Sequence, residues 1–144
     1  MTKAIWFDMD GTIANLYGVD KWLEYILKEQ TKPYREAKPL VNMRTLGKEL
    51  NRIQKLGYTV GIITWLAKGA TEEYDEKVAK AKTEWLKKHL GKVRFDKIQI
   101  VKYGTPKHEL GKGILFDDEM PNREKWNGKA YDEKNIIDIL KAIV

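Results

Sequence analysis

Four consecutive apolar residues, Ala4-Ile5-Trp6-Phe7, run directly into Asp8-Met9-Asp10-Gly11-Thr12. A run too short for a helix and rich in β-formers reads as a buried strand. It ends on Asp8, and Gly11 lets the chain turn away at once. Two carboxylates placed where a buried strand meets a loop point to a cation or a phosphate. So short a string also arises by chance, so its meaning depends on the rest of the chain.

The rest alternates between strand and helix patterns. Val19 to Gln30 reads as a short helix with Trp22, Leu23, Ile26 and Leu27 as its apolar stripe. Residues 31–39, with Pro33 and Pro39, read as an irregular return. Leu40 to Leu56 places Met43, Leu46, Leu50, Ile53 and Leu56 at helical spacing, closed by Gly57. Thr59 to Thr64 is a second buried strand ending on a hydroxyl. Residues 71–90 form the longest helix, with Tyr74, Val78, Ala81, Trp85 and Leu86 as its core face. Lys77, Lys80, Lys82, Lys87 and Lys88 are expected to solvate its other side. Lys97 to Val101 and Gly113 to Phe116 are the third and fourth strands, and the fourth ends on Asp117-Asp118. A short edge strand over Gly128 to Tyr131 and a helix over Asn135 to Val144 close the chain.

This alternation predicts an α/β fold with a doubly wound parallel sheet, in one domain over residues 1–144. Ligands of such sheets bind beyond the carboxyl ends of the strands. Asp8, Thr64 and Asp117 all fall at such ends, which supports the opening motif.

Composition narrows the setting. With 144 residues and no cysteine, disulfides and thiolate metal sites are excluded, and a reducing, cytoplasmic compartment is expected. No signal-peptide pattern and no membrane-length apolar stretch is present, so no membrane partner is expected. The net charge of +6 favours polyanions, although lysines spread over helix faces account for it better.

In this order, Asp8-x-Asp10-Gly11-Thr12, Thr64, Lys107 and Asp117-Asp118 resemble the haloacid dehalogenase-like (HAD) phosphohydrolases. The resemblance spans most of the chain. It implies a Rossmann-like core, Mg²⁺ and a phosphoaspartyl intermediate. Asp8 is then the nucleophile, forming an acyl phosphate that water cleaves more readily than an alkyl phosphate. Asp10 is the acid and base for the leaving alkoxide and the attacking water. Thr64 donates to a phosphoryl oxygen. Asp8, Asp117 and the backbone carbonyl of Asp10 hold Mg²⁺, a cation that prefers hard oxygen ligands, and Asp118 contacts it through a second layer or a water. The lysine is Lys107, which precedes the fourth strand as the family pattern asks, with Lys102 as the alternative. Where many members carry a further acid beyond the second Asp, this chain has Asn122.

Residues 13–39 occupy the place where such enzymes insert a cap, too short here to close the site. Thr12, Tyr17, Trp65 and Lys68 are the expected substrate contacts, with Trp22 and Tyr25 beside them. An aromatic after Thr64 suits a base, so a nucleotide or nucleic-acid end is the leading substrate class. A sugar or other small-molecule phosphate is the alternative, and a non-catalytic phosphate-binding module the rival outside enzymes. His108 is read as a surface residue. An EF-hand loop is excluded because its sixth and twelfth positions, counted from Asp8, would be Ile13 and Val19. A phospho-receiver domain is excluded by the order of the acids.

Overall fold

A computed structural model describes residues 2–144. Its centre is a five-stranded sheet in the order β5-β4-β1-β6-β7, with β1 at Ala4–Phe7, β4 at Thr59–Trp65, β5 at Lys97–Val101, β6 at Ile114–Phe116 and β7 at Ala130–Tyr131. Every pairing is parallel. The fold is therefore α/β and Rossmann-like. All four residues of β1 are buried, as a strand covered on both faces requires. From β1 the chain builds outward through β4 and β5, then returns to add β6 and β7 on the other side. The order reverses at β1 and β6, and that switch point is where such sheets leave a crevice at their carboxyl ends.

Helices α3 (Met43–Lys55), α4 (Glu72–Leu90), α5 (Met120–Lys125) and α6 (Ile136–Lys141) follow the strands. The main core packs Leu46, Leu50 and Ile53 of α3 and Trp85, Leu86 and Leu90 of α4 against Ile5, Phe7, Val60 and Ile62. Asn42 caps α3 by accepting from the Thr45 amide at 3.0 Å, and Gly57, at φ +96°, ends it as expected. Among the described residues, no helix is long and apolar enough to cross a membrane.

The segment after β1 departs most from expectation. It holds a 3-10 turn at Leu16–Gly18, α1 at Trp22–Leu27 and α2 at Lys32–Glu36, and a two-residue ribbon in which β2 (Ala14–Asn15) pairs antiparallel with β3 (Lys38–Pro39). The region read as irregular contains α2, because Pro33 falls in its first turn, where a missing N–H costs nothing. Helix α1 is half the expected length and buries no residue; Leu23 and Leu27 are 51% and 74% exposed. The apolar stripe of this helix is therefore split, with Trp22 and Ile26 half-buried and Leu23 and Leu27 at the surface.

Gly11 sits at φ +80°, and a Cβ there would run into the Asp118 carboxylate and the Tyr17 ring. Gly11→Ala should lower stability by about 1–3 kcal/mol, read as a lower urea midpoint with an unchanged slope.

Candidate active site

The register of the sheet places the acids. Phe7 pairs with Phe116, so Asp8 and Asp117 leave adjacent strands side by side, and the Asp8 amide donates to the Phe116 carbonyl at 2.9 Å. Thr64 lies near the end of β4 on the other side of β1 and is fully buried. Lys107 opens a 3-10 turn at Lys107–Glu109, is 3% exposed, and donates to Asp8 Oδ1 at 2.9 Å and Asp117 Oδ2 at 2.7 Å. Lys102 is exposed, so Lys107 is the lysine that meets the carboxylates. Burial alone would lower the pKa of the Lys107 ammonium, but Asp8 and Asp117 outweigh it and hold it above its ordinary value.

A second buried lysine was not foreseen. Lys82, grouped by the sequence with the solvated face of α4, is 1% exposed. Its Nζ donates to Asp10 Oδ2 at 2.8 Å, Thr64 Oγ1 at 2.7 Å and the Trp65 carbonyl at 2.7 Å, and lies 5.3 Å from the centre of the Tyr34 ring. The signal was present in the spacing. Lys82 stands four residues after Val78 and three before Trp85, inside the apolar stripe of α4, and a lysine there has nowhere to solvate. An ammonium only donates, so Thr64 Oγ1 accepts from Lys82 and its own proton is free to point elsewhere. Burial pushes the Asp10 carboxyl upward, opposed first by Lys82.

Thr12, expected at the substrate, is fully buried and does not line the cavity described below. Its Oγ1 lies 3.2 Å from Asp8 Oδ2 and 3.1 Å from Asp118 Oδ1, and accepts from the Asp118 amide at 3.1 Å. It ties the β1 turn to the β6 turn. Asn122 donates to Asp117 Oδ2 at 3.2 Å and to Glu119 Oε2 at 3.4 Å, so the amide orients Asp117, and Glu119 supplies an acid that the sequence reading passed over.

Asp8, Asp117 and Asp118 offer carboxylate oxygens that all lie within 4.8 Å of one another. Burial, and then Asp8, raise Asp117 to about 6 and Asp118 to about 8. Four carboxylates, Asp8, Asp10, Asp117 and Asp118, meet two ammonium groups, Lys82 and Lys107. With all four ionised the excess would be two negative charges, which one divalent cation would match; the upward shifts of Asp10, Asp117 and Asp118 show that burial opposes that ionisation without one. The all-oxygen donor set fits Mg²⁺.

Beside these groups is a cavity of about 380 Å³, whose lining does not include Thr64, Lys82, Asp117 or Asp118. Asp8, Asp10 and Lys107 lie at its polar end, and Tyr17, Trp65 and Lys68, all expected at the substrate, line it. Trp22 lines it and Tyr25 does not. Trp65 lines the same cavity as Trp22, Leu23, Ile26 and Leu27 of α1. Its indole donates to the Thr105 carbonyl at 2.8 Å, and its ring meets Tyr103 at 4.9 Å.

No protein-family model matches this chain. No curated protein matches it either. Among solved structures it is similar to a D,D-heptose 1,7-bisphosphate phosphatase from Burkholderia thailandensis, with a TM-score of 0.56 over 97% of each chain at 11% sequence identity. At that identity the likeness establishes a shared α/β fold along the full length of both chains.

Proposed function

We propose that the chain is a Mg²⁺-dependent phosphomonoester hydrolase that works through an aspartyl phosphate on Asp8. The observation that carries this reading is the convergence of Asp8, Asp10, Thr64, Lys107 and Asp117 at the carboxyl edge of one parallel sheet. The fold shared with a phosphatase supports it.

In the first half-reaction an Asp8 oxygen bonds to phosphorus as the bond to the leaving alkoxide breaks, and Asp10 gives that alkoxide its proton. In the second, Asp10 takes a proton from water, the water oxygen bonds to phosphorus, and the bond to Asp8 breaks to release phosphate. The two acids need unlike settings for unlike tasks. Asp8 is held as an acceptor between Lys107 and Thr12, while Asp10, beside Lys82, is pushed toward its protonated form by burial. Thr64, which already accepts from Lys82, would turn its proton toward a phosphoryl oxygen. Asp8, Asp117 and Asp118 would hold a divalent cation, which would supply the charge that lets a phosphate dianion approach; each pair of unit charges 4 Å apart otherwise costs about 4 kcal/mol at an effective dielectric of 20.

The test is phosphate release from p-nitrophenyl phosphate with Mg²⁺, with excess chelator, and after Mg²⁺ is restored. Activity is expected to vanish and return. Full activity in chelator would sink the proposal, and no activity under any condition would leave the non-catalytic binding module as the better reading.

For the substrate we propose a nucleotide or nucleic-acid end. The sugar-phosphate alternative has one observation in its favour, the name of the structural neighbour. If a polymer end is the substrate, its further phosphates should meet surface lysines such as Lys68 and Lys102. Each would add roughly −0.7 to the slope of log affinity against log salt. A 5′- or 3′-phosphorylated oligonucleotide should then lose kcat/KM with salt far more steeply than a mononucleotide. Equal shallow slopes would remove the polymer and leave a small molecule.

A further inference from the structure

We infer that the leaving group of the substrate carries a flat, apolar ring about the size of one nucleobase, selected by α1 together with Trp65 and Tyr103. The inference rests on the phosphatase reading and specifies what lies beyond the phosphate. Helix α1 is too short to persist in water unaided. Polar bonds at its carboxyl side hold the segment: Glu29 accepts from the Thr71 amide at 3.0 Å and hydroxyl at 2.9 Å, and the Tyr74 hydroxyl donates to the Gln30 carbonyl at 2.7 Å. Ile26 packs on the small cluster of Leu16, Tyr34 and Tyr74, but Leu23 and Leu27 are not needed to dock the helix and stay 51% and 74% exposed.

Part of the protein's exposed apolar surface gathers here, while Leu40, Leu56, Ile98, Met120 and Val144 lie elsewhere. Tyr17, Leu23, Leu27 and Tyr103 are among the most exposed large apolar or aromatic side chains, and all four line the cavity that ends on Asp8 and Lys107. Concentrated apolar surface of this kind marks a binding site rather than an ordinary surface. Its continuity with the carboxylates points to the remainder of a phosphomonoester as the occupant. Two aromatic pairs, Tyr17 with Trp22 at 4.8 Å and Trp65 with Tyr103 at 4.9 Å, are already braced, so little side-chain freedom is lost when a ring binds.

A polyhydroxylated leaving group fits poorly. The charged and amide groups beyond Asp8, Asp10 and Lys107 are Lys68 and, beside Asp117, Glu119 and Asn122; the other polar atoms of the wall's side chains belong to the aromatic residues Tyr17, Trp22, Tyr34, Trp65 and Tyr103, which present rings as well. Hydroxyls set against Leu23, Leu27 and Leu66 would lose water without gaining partners. The volume of about 380 Å³ suits one small ligand.

The test compares adenosine 5′-monophosphate with ribose 5-phosphate, which release the same primary alkoxide and differ by the base alone. We expect kcat/KM about 10- to 100-fold higher for the nucleotide, the range of one base contact, and a ratio that falls toward one in Leu23→Ser/Leu27→Ser. Both leucines are exposed, so this double variant should fold. Equal values in the wild type, or an unchanged ratio in the double variant, would overturn the inference while leaving the phosphatase reading intact. Calorimetric titration of both ligands covers the case without turnover. Tighter binding of the nucleotide would then keep the ring and discard the phosphatase reading, and binding of neither, or of both equally, would discard the ring as well.

Discussion

Asp8→Asn should reduce phosphate release by about 10⁴-fold or more, the scale seen when a nucleophile acting as one unit with its partners is removed, and no label from a ³²P-substrate should stay with the protein after denaturation. An amide nitrogen is no nucleophile, and its carbonyl oxygen lacks the charge that drives attack. The substitution is nearly isosteric, so the Asn oxygen still accepts from either Lys107 or Thr12, the two donors that hold Asp8. It also removes a negative charge beside Asp117, whose carboxyl is pushed up by burial and then by Asp8. The variant should therefore fold at least as stably as the wild type, and a collapsed thermal transition would show that activity was lost by unfolding instead. Wild-type rates in Asp8→Asn would rule out covalent catalysis by this residue.

How far the site was legible follows from which interactions are local. Strand ends are local. The run Ala4–Phe7, the β4 segment and the β6 segment each announce where a sheet stops, and Asp8, Thr64 and Asp117 were placed by that alone. Lys107 was recognisable only through its order along the chain; its distances to Asp8 and Asp117 depend on a turn at Lys107–Glu109 that periodicity cannot reveal. Lys82 was misread because residue type outweighed position. In a helix rich in lysines the charge suggested solvent, while its place in the apolar stripe indicated burial. The segment at 13–39 was least legible. Its elements are two to six residues long, too short for a period to show, and they are fixed by distant partners such as the Trp85 indole, which donates to the Ala37 carbonyl at 2.7 Å. The apolar stripe of α1 was visible, but a stripe does not say whether it faces a core or a cavity.

Lys82→Met should lower kcat by about 10²- to 10³-fold with little change in KM, close to the about 10²- to 10⁴-fold expected for Asp10→Asn. The lysine touches no reacting atom. Its Nζ donates to Asp10 Oδ2 and Thr64 Oγ1, so in the proposed mechanism it would position Asp10 with Oδ1 left for the leaving group and favour Thr64 as a donor. Removing it leaves Asp10 without its ionic partner and two buried oxygens without a donor. Breaking a buried pair costs about 3–5 kcal/mol, but Asp10 keeps 17% of its side-chain surface exposed and water can recover part of that. A domain stable by about 5–15 kcal/mol survives the loss, with a lower melting temperature as its mark. A purely structural lysine would do as much, so the deciding measurement is the double variant. If Lys82 works mainly through Asp10, adding Lys82→Met to Asp10→Asn should cost little further activity, because the proton transfer it supports is already gone; the residual loss would be the share carried by Thr64. Residues that share one function are non-additive in this way. Fully multiplied losses in the double variant would show that Lys82 does not act through Asp10, whereas a double variant no slower than Asp10→Asn places the lysine behind the acid.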